Sequence, residues 1–101
     1  MTEIDRELLE LAAKAAGEWP SPEPFQHVLD RWNPINDDSD ALRLAVKCGI
    51  SVLQFPTCIG TRWPQSGINP PYEEITSEQD ALVATRRAIV RAAAEIGRNM
   101  K

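Results

Sequence analysis

Cysteine, histidine and tyrosine are scarce in this chain, at two, one and one among 101 residues. With only Cys48 and Cys58, a dense disulfide framework and a four-cysteine zinc site are both excluded, and reduced thiols are expected. Long apolar runs are missing too. None approaches the roughly 20 residues that cross a bilayer, and the first residues enter an acidic helical pattern without the apolar core of a signal peptide. Nor is there a surplus of positive charge. The formal net charge of −4 disfavours nucleic acid and acidic membranes as general partners, because both are held by Lys and Arg neutralising phosphate. An acidic nucleic-acid mimic would need a larger and more ordered negative surface.

What remains has the composition of an ordinary globular domain. Hydrophobic residues make up 43% and charged residues 26%, enough apolar side chain to build a core and too little net charge for a disordered tail. A chain of this length fits one domain, residues 1–101, burying roughly 60–70% of the surface it exposes when unfolded.

Periodicity sets out the elements. From Thr2 to Ala16, Ile4, Leu8, Leu11, Ala12 and Ala15 recur at spacings of three and four, which predicts an amphipathic helix. Thr2 and Asp5 form a capping-box-like start, and Gly17 supplies the left-handed stop. Pro20, Pro22 and Pro24 exclude helix between Gly17 and Pro24. Residues 25–32 read as a short strand or a helical turn, since Phe25, His27 and Leu29 alternate while Val28 and Trp32 fit a helical spacing, and the strand is favoured. A second helix is predicted to start among Asp37, Asp38 and Ser39 and to run through Ala41, Leu42, Ala45 and Val46. It ends at Gly49, with Ile50 as the apolar clasp of a Schellman motif. Ile50 to Phe55 predicts a strand stopping at Pro56, Thr57 to Trp63 an antiparallel neighbour, and Tyr72 to Ile75 a third segment. Residues 64–71 read as an exposed loop suited to binding. Ser77 and Asp80 open the last helix, whose buried stripe is Leu82, Ile89, Ala93 and Ile96 with Val83 and Val90 flanking. The fold class is therefore α+β: a small antiparallel sheet of about three strands packed by two or three helices.

Three blocks carry a resemblance. They are Leu8–Gly17 (Leu-Leu-Glu-Leu-Ala-Ala-Lys-Ala-Ala-Gly), Trp32–Lys47 with its Trp-Asn-Pro-Ile-Asn-Asp-Asp-Ser-Asp opening, and Thr85–Gly97 (Thr-Arg-Arg-Ala-Ile-Val-Arg-Ala-Ala-Ala-Glu-Ile-Gly). In this order they resemble a family of small bacteriophage and prophage proteins of unknown function. The resemblance implies an α/β sandwich, while the cytoplasm of the producing bacterium is the location expected from the missing apolar span and signal-peptide core. The resemblance carries no catalytic residue across, and residues 20–29 and 56–71 depart from the family's pattern.

Candidate sites read against simpler roles as follows. Asp37, Asp38 and Asp40, beside Asn36, offer hard oxygens for Ca²⁺ or Mg²⁺ but lack the glycine and distal glutamate of an EF-hand loop, and helix capping is the reading taken. Cys48, Cys58 and His27 could supply a nucleophile and base, yet Cys48 stands at a helix C-terminus, where the negative dipole end opposes a thiolate. Arg86, Arg87, Arg91 and Arg98 make a basic stretch that reads as a solvated, ion-paired face rather than a DNA-reading helix. Trp19, Trp32 and Trp63 each stand within two residues of a proline, and such rings usually close core edges. No catalytic residue, cofactor or metal ligand is expected. The expected interaction surface is Trp63, Tyr72, Arg87 and Arg91, and the expected activity is non-enzymatic binding of a host or phage protein. Inhibition of a bacterial defence system, metal-dependent hydrolysis and DNA-binding regulation are the alternatives. A homodimer is expected if Val83 and Val90 present a second apolar face on the last helix.

Overall fold

The computed structural model describes residues 3–19, 22–54, 58–63, 69–74 and 78–100, excepting the side chains of residues 3–4, 69–74 and 78–80. Its elements in order are α1 (Glu3–Ala16), α2 (Phe25–Arg31), α3 (Asp38–Cys48), β1 (Ser51–Gln54), β2 (Cys58–Arg62), β3 (Asn69–Glu74) and α4 (Glu78–Arg98). The strands form an antiparallel sheet in the order β1-β2-β3. The molecule is thus α+β, with an antiparallel sheet packed by helices.

Helix ends follow local chemistry. Gly17, at φ 78°, ends α1, with Gly17 N–H donating to Lys14 C=O (3.2 Å) and Glu18 N–H to Ala13 C=O (2.8 Å). Gly49, at φ 69°, ends α3 with the same pair of bonds, Gly49 N–H to Val46 C=O (3.3 Å) and Ile50 N–H to Ala45 C=O (2.8 Å). Both are Schellman motifs, and a side chain at either glycine would be strained by the left-handed backbone. Ile50 is buried, as the apolar clasp requires. The start of α3 is more elaborate than a single cap. Asp37 accepts from Asp40 N–H (2.9 Å), while Asp40 reaches back to accept from Asn33 N–H (2.9 Å). Residues 33–37 form a turn closed by Asn36 and Asp37 N–H donating to Asn33 C=O. The Thr2 and Ser77 caps, the strand ends at Phe55–Pro56 and Ile75, and loop residues 64–68 lie outside the described residues.

The strand expected over residues 25–32 is instead helix α2, which brings the described helices to four. Phe25, Val28 and Leu29 are all buried at the i, i+3, i+4 spacing of one helical face, whereas His27, which alternation would have placed beside them, is exposed. Trp19 packs edge-on against Phe25 with ring centroids 4.9 Å apart, and the Arg6 guanidinium sits 5.6 Å from the same ring. The loop expected over 64–71 is likewise shorter, because Asn69, Pro70 and Pro71 belong to β3. Proline is tolerated there because β3 is an edge strand.

Helix α4, about 31 Å long, is the spine. Its first half lies on the sheet, where Ala84 and Ala88 meet Ile59 and Val52. Its second half joins the main core through Ile89, Val90, Ala92 and Ala93, against Leu9, Ala12, Ala13 and Ala16 of α1 and Leu44 and Ala45 of α3. Asp5 pairs with Arg87, Leu11 abuts Gly97, and Lys14 Nζ donates to Met100 C=O (3.1 Å), so α1 and α4 run side by side in the same direction. Alanine and glycine at the contact let the two backbones approach closely. Of the stripe expected on α4, Ile89 and Ala93 are buried and Ile96 packs half-buried on the core, while Leu82 faces solvent and the flanking Val90, at 1% exposed, is core. Of the two valines on which a homodimer was made conditional, Val83 is exposed and Val90 is buried.

Arg86 ties α4 to α3. Its Nε donates to Ile35 C=O (2.7 Å) and its Nη1 meets Asp38 Oδ1 (2.6 Å), with the Arg86 side chain 16% exposed. Asp38 is mostly solvated, so the main contribution is the bond to the Ile35 carbonyl. Arg86→Ala is expected to cost about 1–3 kcal/mol in urea unfolding, and Arg86→Lys to recover little, since one ammonium lacks the planar fork that serves both partners.

Candidate functional site

Helix α3 stands as a ridge between two hollows. On one side lies an apolar groove of about 460 Å³, bounded by Leu42, Val46, Ala41 and Ala45 of α3, by Val52 and Gln54 of β1, and by Leu82, Thr85 and Ile89 of α4. The Asp38–Arg86 ion pair contributes to its lining. On the other side lies a charged hollow of about 330 Å³ lined by Arg31, Arg43, Lys47, Glu18, Asp40 and Trp32, with Ala16 and Leu44 behind.

The two differ in what remains unsatisfied. In the charged hollow, Arg31 pairs with Glu23 (2.6 Å), which together with the field of Glu18 raises the Arg31 pKa against the opposing effect of burial. Lys47 stands 4.0 Å from Glu18, and Asp40 is engaged with Asn33 N–H. Opposite charges interleave there. In the apolar groove, Leu42, Val46 and Leu82 are 65%, 75% and 59% exposed. Large apolar side chains left so open and grouped around one concavity are uncommon on the surface of a monomeric protein.

Local sequence explains the groove. Apolar residues at 41, 42, 44, 45, 46 and 48 wrap about half of α3, more than one core face needs. Leu44, Ala41 and Ala45 take the core; Leu42 and Val46, one turn apart, are left outward beside β1. Leu82 was expected on the buried stripe of α4 and stands outside it. The excess apolar width of α3 was the available signal.

The residues singled out from sequence are dispersed. Trp63 is half-buried and packs against the main core, as do Trp19 and Trp32. Tyr72 lies in β3, with its side chain outside the described residues. Arg87 pairs with Asp5 (3.2 Å), and Arg91 is half-buried with a partner of its own. Arg98 pairs with Glu95. Asp37, Asp38 and Asp40 turn to three separate partners, a backbone N–H, Arg86 and another backbone N–H. Cys48 is half-buried at the end of α3, and burial raises its pKa against the lowering effect of Lys47. His27 is exposed on α2, and among the described residues no hydrogen bond links it to either cysteine. No described helix is long and apolar enough to cross a membrane.

Fold and groove together define a small α+β structure with an α4 spine and an open apolar face. Compared with family models, with curated proteins and with solved structures, the chain matches none.

Proposed function

We propose that this chain is a non-enzymatic protein-binding module, in the bacteriophage or prophage setting that its three sequence blocks resemble, and that it docks protein on the groove between α3, β1 and α4. The observation that carries this reading is the grouping of Leu42, Val46 and Leu82, all more than half exposed, around one concavity. Burial of such side chains is the main driving force of protein association, whereas the arginines proposed from sequence are already engaged. The three resembling blocks also meet one another, through Leu11–Gly97 and Arg86–Ile35, which supports their role as scaffold.

The test uses the immobilised chain and lysate from phage-infected bacteria, with Leu42→Glu/Val46→Glu beside the wild type. Both positions are solvated, so the double variant is expected to fold with a stability within about 1 kcal/mol of wild type. A protein retained by the wild type and lost by the variant is the expected result. Full retention by the variant would count against this face.

A further inference from the structure

We infer that the occupant of this face is a second copy of the chain, joined edge to edge through β1. The inference rests on reading the groove as a protein-docking surface and names what docks there.

The two edges of the sheet differ. β3 carries Pro70 and Pro71, which lack N–H donors, then Glu73 and Glu74, and a register shift interrupts its ladder with β2. Those are the devices by which natural edges avoid pairing. β1, at the other edge, reads Ser-Val-Leu-Gln, with neither a charge nor a proline, and holds a regular four-residue register with β2. An antiparallel ladder engages alternate residues, so half of β1's N–H and C=O groups point away from β2. Among the described residues no other strand or loop takes them up.

Charge permits a second copy. Across a two-fold axis each residue meets itself or a near neighbour of itself, so a charged strand would set like charges opposite one another. β1 is neutral along its whole length, and the Asp38–Arg86 ion pair that lines the groove is internally balanced. The geometry agrees. Val52 and Gln54 face α4 together with their ladder partners Thr61 and Ile59, and both line the groove. An axis perpendicular to the sheet keeps the helices of both copies on one side. It therefore brings Leu42 and Val46 of one α3 toward the same pair on the other, over a continuous six-stranded sheet.

Analytical ultracentrifugation from about 1 µM to about 1 mM tests this, with Ser51→Lys/Gln54→Lys and Leu42→Glu/Val46→Glu as separate double variants. All four positions are exposed, and circular dichroism checks that each variant folds. The wild type is expected to form a dimer whose dissociation constant rises at least about tenfold in each variant, with β1 amides gaining hydrogen-exchange protection as concentration rises. A wild type monomeric throughout overturns the second copy. If the lysate protein is still lost by Leu42→Glu/Val46→Glu, the docking face survives that result; if capture is indifferent to the variant, the face fails as well. A dimer indifferent to the lysine pair overturns the β1 junction.

Discussion

Gly97→Ala is expected to destabilise the protein by about 3 kcal/mol, lowering the melting temperature by roughly 10–25 °C. A Cβ at residue 97 would stand 2.0 Å from the carbonyl oxygen of Leu11 and 2.8 Å from its carbonyl carbon. Both are backbone atoms of α1, so no rotamer change relieves the overlap. The helices must separate, and separation opens the alanine-lined contact along Ala12, Ala13, Ala16, Ala92 and Ala93, where every side chain is at least 98% buried. Helix propensity alone gives the opposite sign, since alanine exceeds glycine by about 1 kcal/mol inside a helix. Backbone overlap is the larger effect and wins. Urea unfolding with an unchanged m-value would measure it; a stabilised variant would mean that α1 and α4 do not cross this closely.

Leu44→Ala is expected to cost about 3 kcal/mol, within the 2–5 kcal/mol seen when a buried leucine is truncated. Leu44 is 1% exposed and faces the main core between α1 and α4. Leu42, two residues earlier on the same helix, is 65% exposed, and Leu42→Ala is expected to stay within about 0.5 kcal/mol under conditions where the chain is monomeric. The contrast isolates burial, because the substitution and its helix propensity are identical at both sites. Equal losses at 42 and 44 would mean that the groove is filled within the monomer.

A face supplied by residues that contribute little to folding can be changed without unfolding the domain. Leu42, Val46 and Leu82 have that freedom, whereas Trp63, packed on the core, does not. Variants of Trp63 would therefore confound stability with binding, and variants of α3's outer face separate them.

Much of the fold is legible along the chain because its signals act over a few residues. Gly17 and Gly49 announce their left-handed stops, Asp37 announces the start of α3, and the β-branched and apolar run after Ile50 announces a strand. The reading failed at Phe25–Arg31, where alternation and helical spacing overlap in seven residues and no pattern of that length separates them. It also missed that Leu82 of α4 turns outward and Val90 inward, although Ile89 and Ala93 are buried as expected. Leu42 and Leu44, or Leu82 and Val90, are equivalent to any local rule.

Helix stops, caps and strand-forming runs were decided by the sequence, since each depends on the backbone conformation and hydrogen bonding of neighbouring residues. The groove was decided only when α3 and β1 came to rest side by side on α4. Burial is a property of contacts between distant segments: Ala84 and Ala88 seat the sheet, Gly97 and the alanines seat α1, and what the spine cannot cover, Leu42, Val46 and Leu82, is left outside.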